Sequence, residues 1–362
     1  MSEQSLWRKV IKMIGSIFLT LLVLILLLVL YLSMTEFRPS KITSFTVDDE
    51  GKSPLKLGEQ YRAVSFNIGY AGLGEEADFF MDGGKGVNPT KEEVKKNLQG
   101  IGEILTKLDG DFTLLQEIDV DSKRSFRQDQ RVFLSDYLQD DQGLGAYASN
   151  FNVKFVPIPL PPIGKVDSGL VTRSKYSFNH VERISLYSPF KWPVRLANLK
   201  RCLLLTKFPI EQSDKELVLI NLHLEAYDDS GGREKQTKEL FEIMMDEYEK
   251  GNFVLAGGDF NQSFFDREDL PFGSAEGHWE PGRLDESLLP KDFQFLADER
   301  KLPTCRSVNI PYDPESEEQG FFLIDGYIAS PNIKVESIET KDYGFKYSDH
   351  SPVVLEFQLK EE

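Results

Sequence analysis

The order of apolar and polar positions along the chain predicts one membrane helix followed by a mixed series of strands and amphipathic helices. Ile14 to Leu32 is an apolar run without a charge, about 28 Å long as a helix and so long enough to cross a bilayer. Tyr61 to Phe66 alternates as a half-buried strand does and delivers Asn67 at its end. Thr90 and Glu93 form a capping box ahead of Val94, Leu98, Ile101, Ile104, Leu105 and Leu108, which recur at helical spacing and predict a helix lying on a sheet. Phe112 to Leu115 reads as the next strand, ending in Gln116-Glu117. A carboxylate fixed there loses little entropy on meeting a cation.

The second half repeats the scheme. Arg201 to Thr206 and Leu217 to Leu222 read as strands, the latter presenting His223 just beyond Asn221. A helix over Arg233 to Glu249 carries Leu240, Phe241, Met244 and Tyr248 on one face and stops at Gly251. It leads into Phe253 to Ala256, a buried strand ended by Gly257-Gly258, where the backbone turns or approaches something closely; Asp259 and Asn261 follow at its mouth. Phe321 to Ile324 runs into Asp325, and Tyr347 to Pro352 precedes a last strand, Val353 to Leu359. The middle is less periodic. Val156 to Pro162 is a proline-rich connection unsuited to a central strand, and Asp167 to Arg173 looks like a turn entering a strand. Phe190-Lys191-Trp192-Pro193 is an aromatic and basic loop cluster that suits a lipid surface or a base, although two aromatics more often serve local packing. The loop Met81 to Gly86, MDGGKG, lacks the GK[ST] of a nucleotide-binding P-loop.

Charge and flanking residues refine this picture. The formal net charge is −17, a surface that repels polyanions and excludes a generic nucleic-acid coat. Arg8, Lys9 and Lys12 precede the apolar run, a bias that leaves the amino terminus in the cytoplasm and the rest outside it. No small-x-small cleavage site follows, the sequence there being YLSMTEF, so an uncleaved anchor is preferred to a signal peptide. The expected organisation is a cytoplasmic tail (1–12), a transmembrane anchor (13–34), a linker (35–58) and one folded domain (59–362), with the protein single-pass in the cell membrane. Cys202 and Cys305 lack metal-ligand spacing and are open to reading as free thiols or one disulfide.

Taken together, Asn67, Glu117 in LLQE, His223 in NLHL, Asp259 and Asn261 in GDFN, Asp325 in IDGY and Asp349-His350 in SDHSP resemble, in kind and in order, the motifs of the endonuclease/exonuclease/phosphatase superfamily. The similarity runs over roughly residues 61 to 359. It implies an α/β (α+β) fold, a four-layer sandwich of two mostly antiparallel β-sheets flanked by helices, here preceded by one transmembrane helix. The implied activity is divalent-metal-dependent hydrolysis of a phosphodiester by water, with Mg2+ (or Mn2+) held by Glu117, Asn67 and Asp349. Asp259 orients or deprotonates the water, Asn261 donates a hydrogen bond to it or to the phosphate, and His223 and His350 donate to phosphoryl oxygens, His350 being held by Asp325. Arg233 and Gln236 match the family's following helix as supporting residues. The implied partners are a phosphoester and, through the amino-terminal helix, the membrane, with no specific protein partner. The shared motifs read the phosphate, so lipid, small-molecule and nucleic-acid esters all stay open. An extracytoplasmic nuclease and a non-catalytic receptor or scaffold on the same fold are the alternatives.

Overall fold

A computed structural model describes residues 3–46, 52–138, 145–227, 231–273 and 279–361. In chain order the main elements are α1 (Glu3–Met34), β1 (Ile42–Thr46), β2 (Gln60–Asn67), α2 (Lys91–Leu108), β3 (Phe112–Asp119), α3 (Gln130–Ser135), β4 (Ala146–Val156), β5 (Gly164–Ser174), β6 (His180–Ser185), β7 (Cys202–Pro209), β8 (Glu216–His223), α4 (Gly232–Glu249), β9 (Phe253–Asp259), β10 (Gln294–Leu296), β11 (Asp325–Ala329), β12 (Ile333–Thr340) and β13 (Val353–Leu359). The strands form a seven-stranded sheet ordered β1-β6-β7-β8-β9-β11-β10 and a six-stranded sheet ordered β12-β13-β2-β3-β5-β4. Only β2 with β3 and β8 with β9 pair in parallel within them. Those are the two pairs joined through a helix, because a parallel return needs a long crossover.

The expected four-layer sandwich follows from which faces are apolar. Tyr61, Phe112, Phe208, Leu219, Leu255 and Phe357 fill the interior between the sheets. Leu240, Phe241 and Met244 of α4 cover the outer face of the larger sheet against Val218, Ile220 and Val254. Val94, Leu98, Ile101 and Leu105 of α2 cover the smaller one against Val64, Phe66 and Leu115. The capping box at the start of α2 is present, with Thr90 N–H donating to Glu93 at 2.6 Å and Glu93 N–H to Thr90 Oγ1 at 3.2 Å.

Three local expectations change. Within 35–58, expected as a tether, the described residues join the domain: β1 pairs with β6, and Leu55 is buried in the inter-sheet core. Glu117 lies within β3 rather than at its end, on a bulge opposite β5 where its φ is 56°. Phe321–Phe322 pairs with Cys305–Arg306, and Asp325 opens β11. The strand from Phe253 runs through both glycines to Asp259. Close approach explains them, since a Cβ on Gly257 would stand 2.4 Å from the Tyr327 ring, and one on Gly258, at φ +147°, 2.1 Å from the Leu222 carbonyl oxygen. Cys202 and Cys305 are buried free thiols, not a disulfide.

Gly258→Ala meets both a backbone atom and a disfavoured φ, so it is expected to cost about 2 to 4 kcal/mol. Urea denaturation of the detergent-solubilised chain measures this, and a loss under about 0.5 kcal/mol, the scale of an ordinary surface substitution, rules out the close-packing account.

Candidate active site

Strand direction gathers the site. Parallel pairing puts the carboxyl ends of β2 and β3 at one edge, with Asn67 beside Gln116, and those of β8 and β9 at one edge, with His223 beside Asp259. β11 runs antiparallel to β9, so its first residue, Asp325, also stands opposite Asp259. The segment entering β13 brings Asp349 and His350 to the same edge, where His350 bridges Cys305. The two sheets meet face to face there, and Asn67, His223, Asp259, Asn261, Asp325, Asp349 and His350 are all buried. Glu117 is half-buried.

Asp259 is the hub. Its Oδ2 accepts from Asn67 Nδ2 at 3.0 Å and lies 3.3 Å from His223 Nε2 and 3.8 Å from His350 Nε2. Its Oδ1 accepts from the Asn261 backbone N–H at 2.9 Å. Asn261, at φ 51°, reaches back with its side-chain nitrogen to the Leu224 carbonyl at 2.9 Å. Asp325 Oδ2 holds His350 Nδ1 at 2.9 Å. Asn67 accepts from Gly69 N–H through Oδ1, so its nitrogen faces the acids, 3.5 Å from Glu117 Oε1. Asp349 Oδ1 accepts from Ser348 Oγ, which also donates to the Asn67 carbonyl. Just behind these residues Gln116 Nε2 donates across the sandwich to Asn221 Oδ1 at 2.8 Å, and Asn221 Nδ2 donates to the Leu115 and Val171 carbonyls at 3.2 and 2.8 Å.

The environment pushes these groups apart in proton affinity. Burial, reinforced by the charge of Asp325, raises Asp259 well above the usual carboxylate range. Burial, then the positive charges of Arg201 and His350, holds His223 neutral. On His350 burial opposes protonation, but Cys305 and Asp325 outweigh it and raise its pKa well above normal. Burial keeps the Cys305 thiol un-ionised, pushed up to about 12, so Asp325 is the partner that matters at neutral pH. Asp349 is pushed up to about 7 by burial and by the charge of Glu117, against the pull of His350.

These residues line a cleft of about 220 Å³. Glu117, Asp349, Asp259, Asn261, His223 and His350 form its floor, and Met81 and Asp82 of the glycine-rich loop stand on one side. Arg201, Tyr227, Trp279 and Arg306 also line it and were not singled out by the sequence. Arg201 is buried and directs Nη1 to the His223 carbonyl at 3.4 Å. An arginine opening a strand carries no signal that separates it from a solvated one. Gln236 supports the site from α4, accepting from Glu225 N–H and donating to the Tyr187 carbonyl, while Arg233 packs near Gly282.

Two clusters among the described residues bring three ligand-type atoms together, Asp259-Asp325-His350 and Cys305-Asp349-His350. In both, His350 is already committed to Asp325. Glu117 and Asp349 offer instead two carboxylates facing one cleft, close enough for the charge of one to disfavour the charge of the other. An all-oxygen anionic pair of this kind fits a hard divalent ion.

A four-layer sandwich with a buried Asp/His cluster where its two sheets end defines a phosphoesterase. The chain belongs to the endonuclease/exonuclease/phosphatase family, whose profile matches residues 64–350. No curated protein matches the chain in sequence. Among solved structures it is similar in fold to an endonuclease/exonuclease/phosphatase from Beutenbergia cavernae DSM 12333, with 17% identity, a TM-score of 0.56, and 83% of this chain and 72% of that one covered. It is also similar to ANGEL2, a 2',3'-cyclic phosphatase in complex with adenosine-2',3'-vanadate, with 13% identity, a TM-score of 0.52, and 90% and 100% covered.

Asn221→Leu takes a buried donor from the Leu115 and Val171 carbonyls and leaves the Gln116 amide only Ser65 Oγ and the Leu114 carbonyl. The expected loss is about 2 to 4 kcal/mol of stability, read from the urea midpoint; an unchanged midpoint removes this cross-sheet bond from the account of how the sheets are aligned.

Proposed function

We propose that the chain hydrolyses a phosphodiester by direct attack of water, with Asp259 as the base. The observation that carries this reading is the position of Asp259, a buried carboxylate of raised proton affinity at the meeting point of Asn67, His223 and His350 and facing the same cleft as Glu117 and Asp349. A base with affinity raised toward neutrality takes a proton more readily than an ordinary aspartate.

In the reaction the water oxygen bonds to phosphorus, its proton passes to Asp259, and the bond from phosphorus to the leaving ester oxygen breaks. Asn67 and the Asn261 backbone N–H hold the two oxygens of Asp259 so that the carboxylate keeps one orientation. His350, kept protonated by Asp325, donates to a phosphoryl oxygen as charge develops there, and neutral His223 donates through Nε2. Glu117 and Asp349 would hold the metal ion, Mg2+ or Mn2+, with Asn67 aligning Glu117. When bound, the ion supplies Lewis-acid polarisation of the phosphoryl oxygen and stabilises the leaving oxygen. The amino-terminal helix, with a mean hydropathy of 3.1 over its most apolar stretch, is proposed as an uncleaved anchor holding the domain outside the cytoplasm.

Asp259→Asn keeps size and removes the base, so kcat on bis(4-nitrophenyl) phosphate is expected to fall about 100-fold or more with KM little changed. His350→Ala should lose a similar factor. Values of kcat within a few-fold of wild type for both variants would falsify the mechanism.

Glu117→Gln removes one anionic oxygen from the metal pair. Calorimetric titration with Mg2+ is expected to show affinity weakened about tenfold or more, and EDTA should abolish hydrolysis by the wild type. An unaltered Mg2+ affinity sinks the role of Glu117 as ligand.

A further inference from the structure

The outer end of α1 is part of the folded domain. Leu32 is buried with Val153, Val156, Val166 and Leu196, and Leu28 and Val29 pack on the same cluster. Four residues later Glu36 is gripped by Arg38, Lys200 and Arg195 at 2.9, 3.2 and 3.3 Å. Leu28 and Leu32 belong to the stretch long and apolar enough to cross a bilayer. Side chains packed on them therefore stand at the depth where acyl chains give way to headgroups.

Two loops flank that contact. The hairpin between β4 and β5 leaves the cluster at Val156 and returns to it at Ile163, and the loop before Leu196 enters it from the other side. They carry Ile158, Leu160, Trp192 and Val194, which are 70%, 83%, 59% and 59% exposed. Most of Trp192 thus faces outward rather than into local packing. Lys154, Lys191 and Arg195 are exposed among them. On a chain of net charge −17, large apolar tips interleaved with cations at the exit of a membrane helix match a bilayer interface containing anionic lipid.

A groove of about 370 Å³, lined by Glu36, Phe37, Arg38, Phe190, Arg195 and Arg201, opens at the same place. Arg201 also lines the active cleft. Its Nε is buried and has no hydrogen-bond partner among the described residues. Phe151 makes the same connection, lining the cleft and packing on the cluster that buries Leu32. A guanidinium with a spare donor at the neck between bilayer and cleft is suited to a phosphate ester.

We propose that the β4–β5 hairpin tip and the 190–195 loop insert into the bilayer surface beside α1 and hold the cleft against it, so that the substrate is the phosphoester of a membrane lipid, passed to the cleft by way of Arg201. The substrate half of this proposal rests on the phosphoesterase reading above; the docking half does not.

The test uses the full chain in liposomes. Both native cysteines are buried, so Leu160→Cys and Trp192→Cys take an environment-sensitive fluorophore singly, with the exposed Val132→Cys on α3 as reference. Spin-labelled phosphatidylcholine is expected to quench the probes at 160 and 192 and to spare the one at 132; equal quenching at all three overturns the docking. Hydrolysis of vesicle-borne phosphatidylinositol, phosphatidylglycerol and sphingomyelin is then compared with that of bis(4-nitrophenyl) phosphate. The double substitution Leu160→Asp with Trp192→Asp is expected to lower turnover of the vesicle-borne lipid at least tenfold and to leave the soluble ester unaffected; an equal fall on both overturns the proposal. Hydrolysis of the soluble ester and of no lipid overturns the substrate class alone. Hydrolysis of neither overturns the phosphoesterase reading and the lipid substrate with it, while the quenching still decides the docking.

Discussion

The structure depends on a seam of buried polar contacts that crosses the largely apolar interior between the two sheets. Apolar faces slide with little penalty, since any register of comparable volume buries comparable area. Asn67 to Asp259 at 3.0 Å and Gln116 to Asn221 at 2.8 Å do not tolerate sliding. Each joins one sheet to the other, and each would leave unpaired buried groups if the sheets moved by a residue. The seam that fixes the alignment therefore lies directly behind the cleft and shares Asp259 with its lining. Stability and chemistry draw on the same few side chains, and Asn67 serves both by bonding Asp259 while lying against Glu117.

The fold makes the floor of the cleft from two similar halves. Each sheet contributes one strand-helix-strand crossover, β2-α2-β3 and β8-α4-β9, and each crossover ends two neighbouring strands at the same edge. Asn67 and Glu117 come from one crossover, His223 and Asp259 from the other. Packed face to face, they set Asn67 and Glu117 of the smaller sheet across from His223 and Asp259 of the larger one. The glycines behind Asp259 follow from this arrangement, because only a bare backbone lets β9 pass both the Leu222 carbonyl and the Tyr327 ring.

What was legible in the sequence was whatever obeys a period or a motif. The capping box of α2, the apolar faces of α2 and α4, and the runs of β2, β8, β9 and β13 are local signals, and polar residues placed directly after such runs marked the site edge. β4 was not legible because bulges between Ser149 and Phe151 and between Val153 and Val156 break its alternation. Glu117 was found by type, but its place on a bulge depends on pairing with β5, some fifty residues away along the chain. Arg201 and Asn221 were missed or passed over as site builders because their roles exist only across the sandwich. β1 hid in a polar segment, since an edge strand with one neighbour needs little apolar content.

The fate of residues 35–58 bears most on what the enzyme meets. Left as a free coil, that length of chain would let the domain wander about 27 Å from the end of α1. Instead Glu36 is clasped by three cations, Ile42–Thr46 is woven into the larger sheet, and Leu55 is buried between the sheets. With the slack removed, the distance from α1 to the cleft becomes a property of the fold. The groove that shares Arg201 with the cleft starts beside the helix end, and a strongly acidic remainder keeps other polyanions at a distance. Under the proposed anchoring, selection among phosphoesters lies less in the atoms around phosphorus, which the shared motifs treat alike, than in which esters are presented at the height where the groove meets the bilayer.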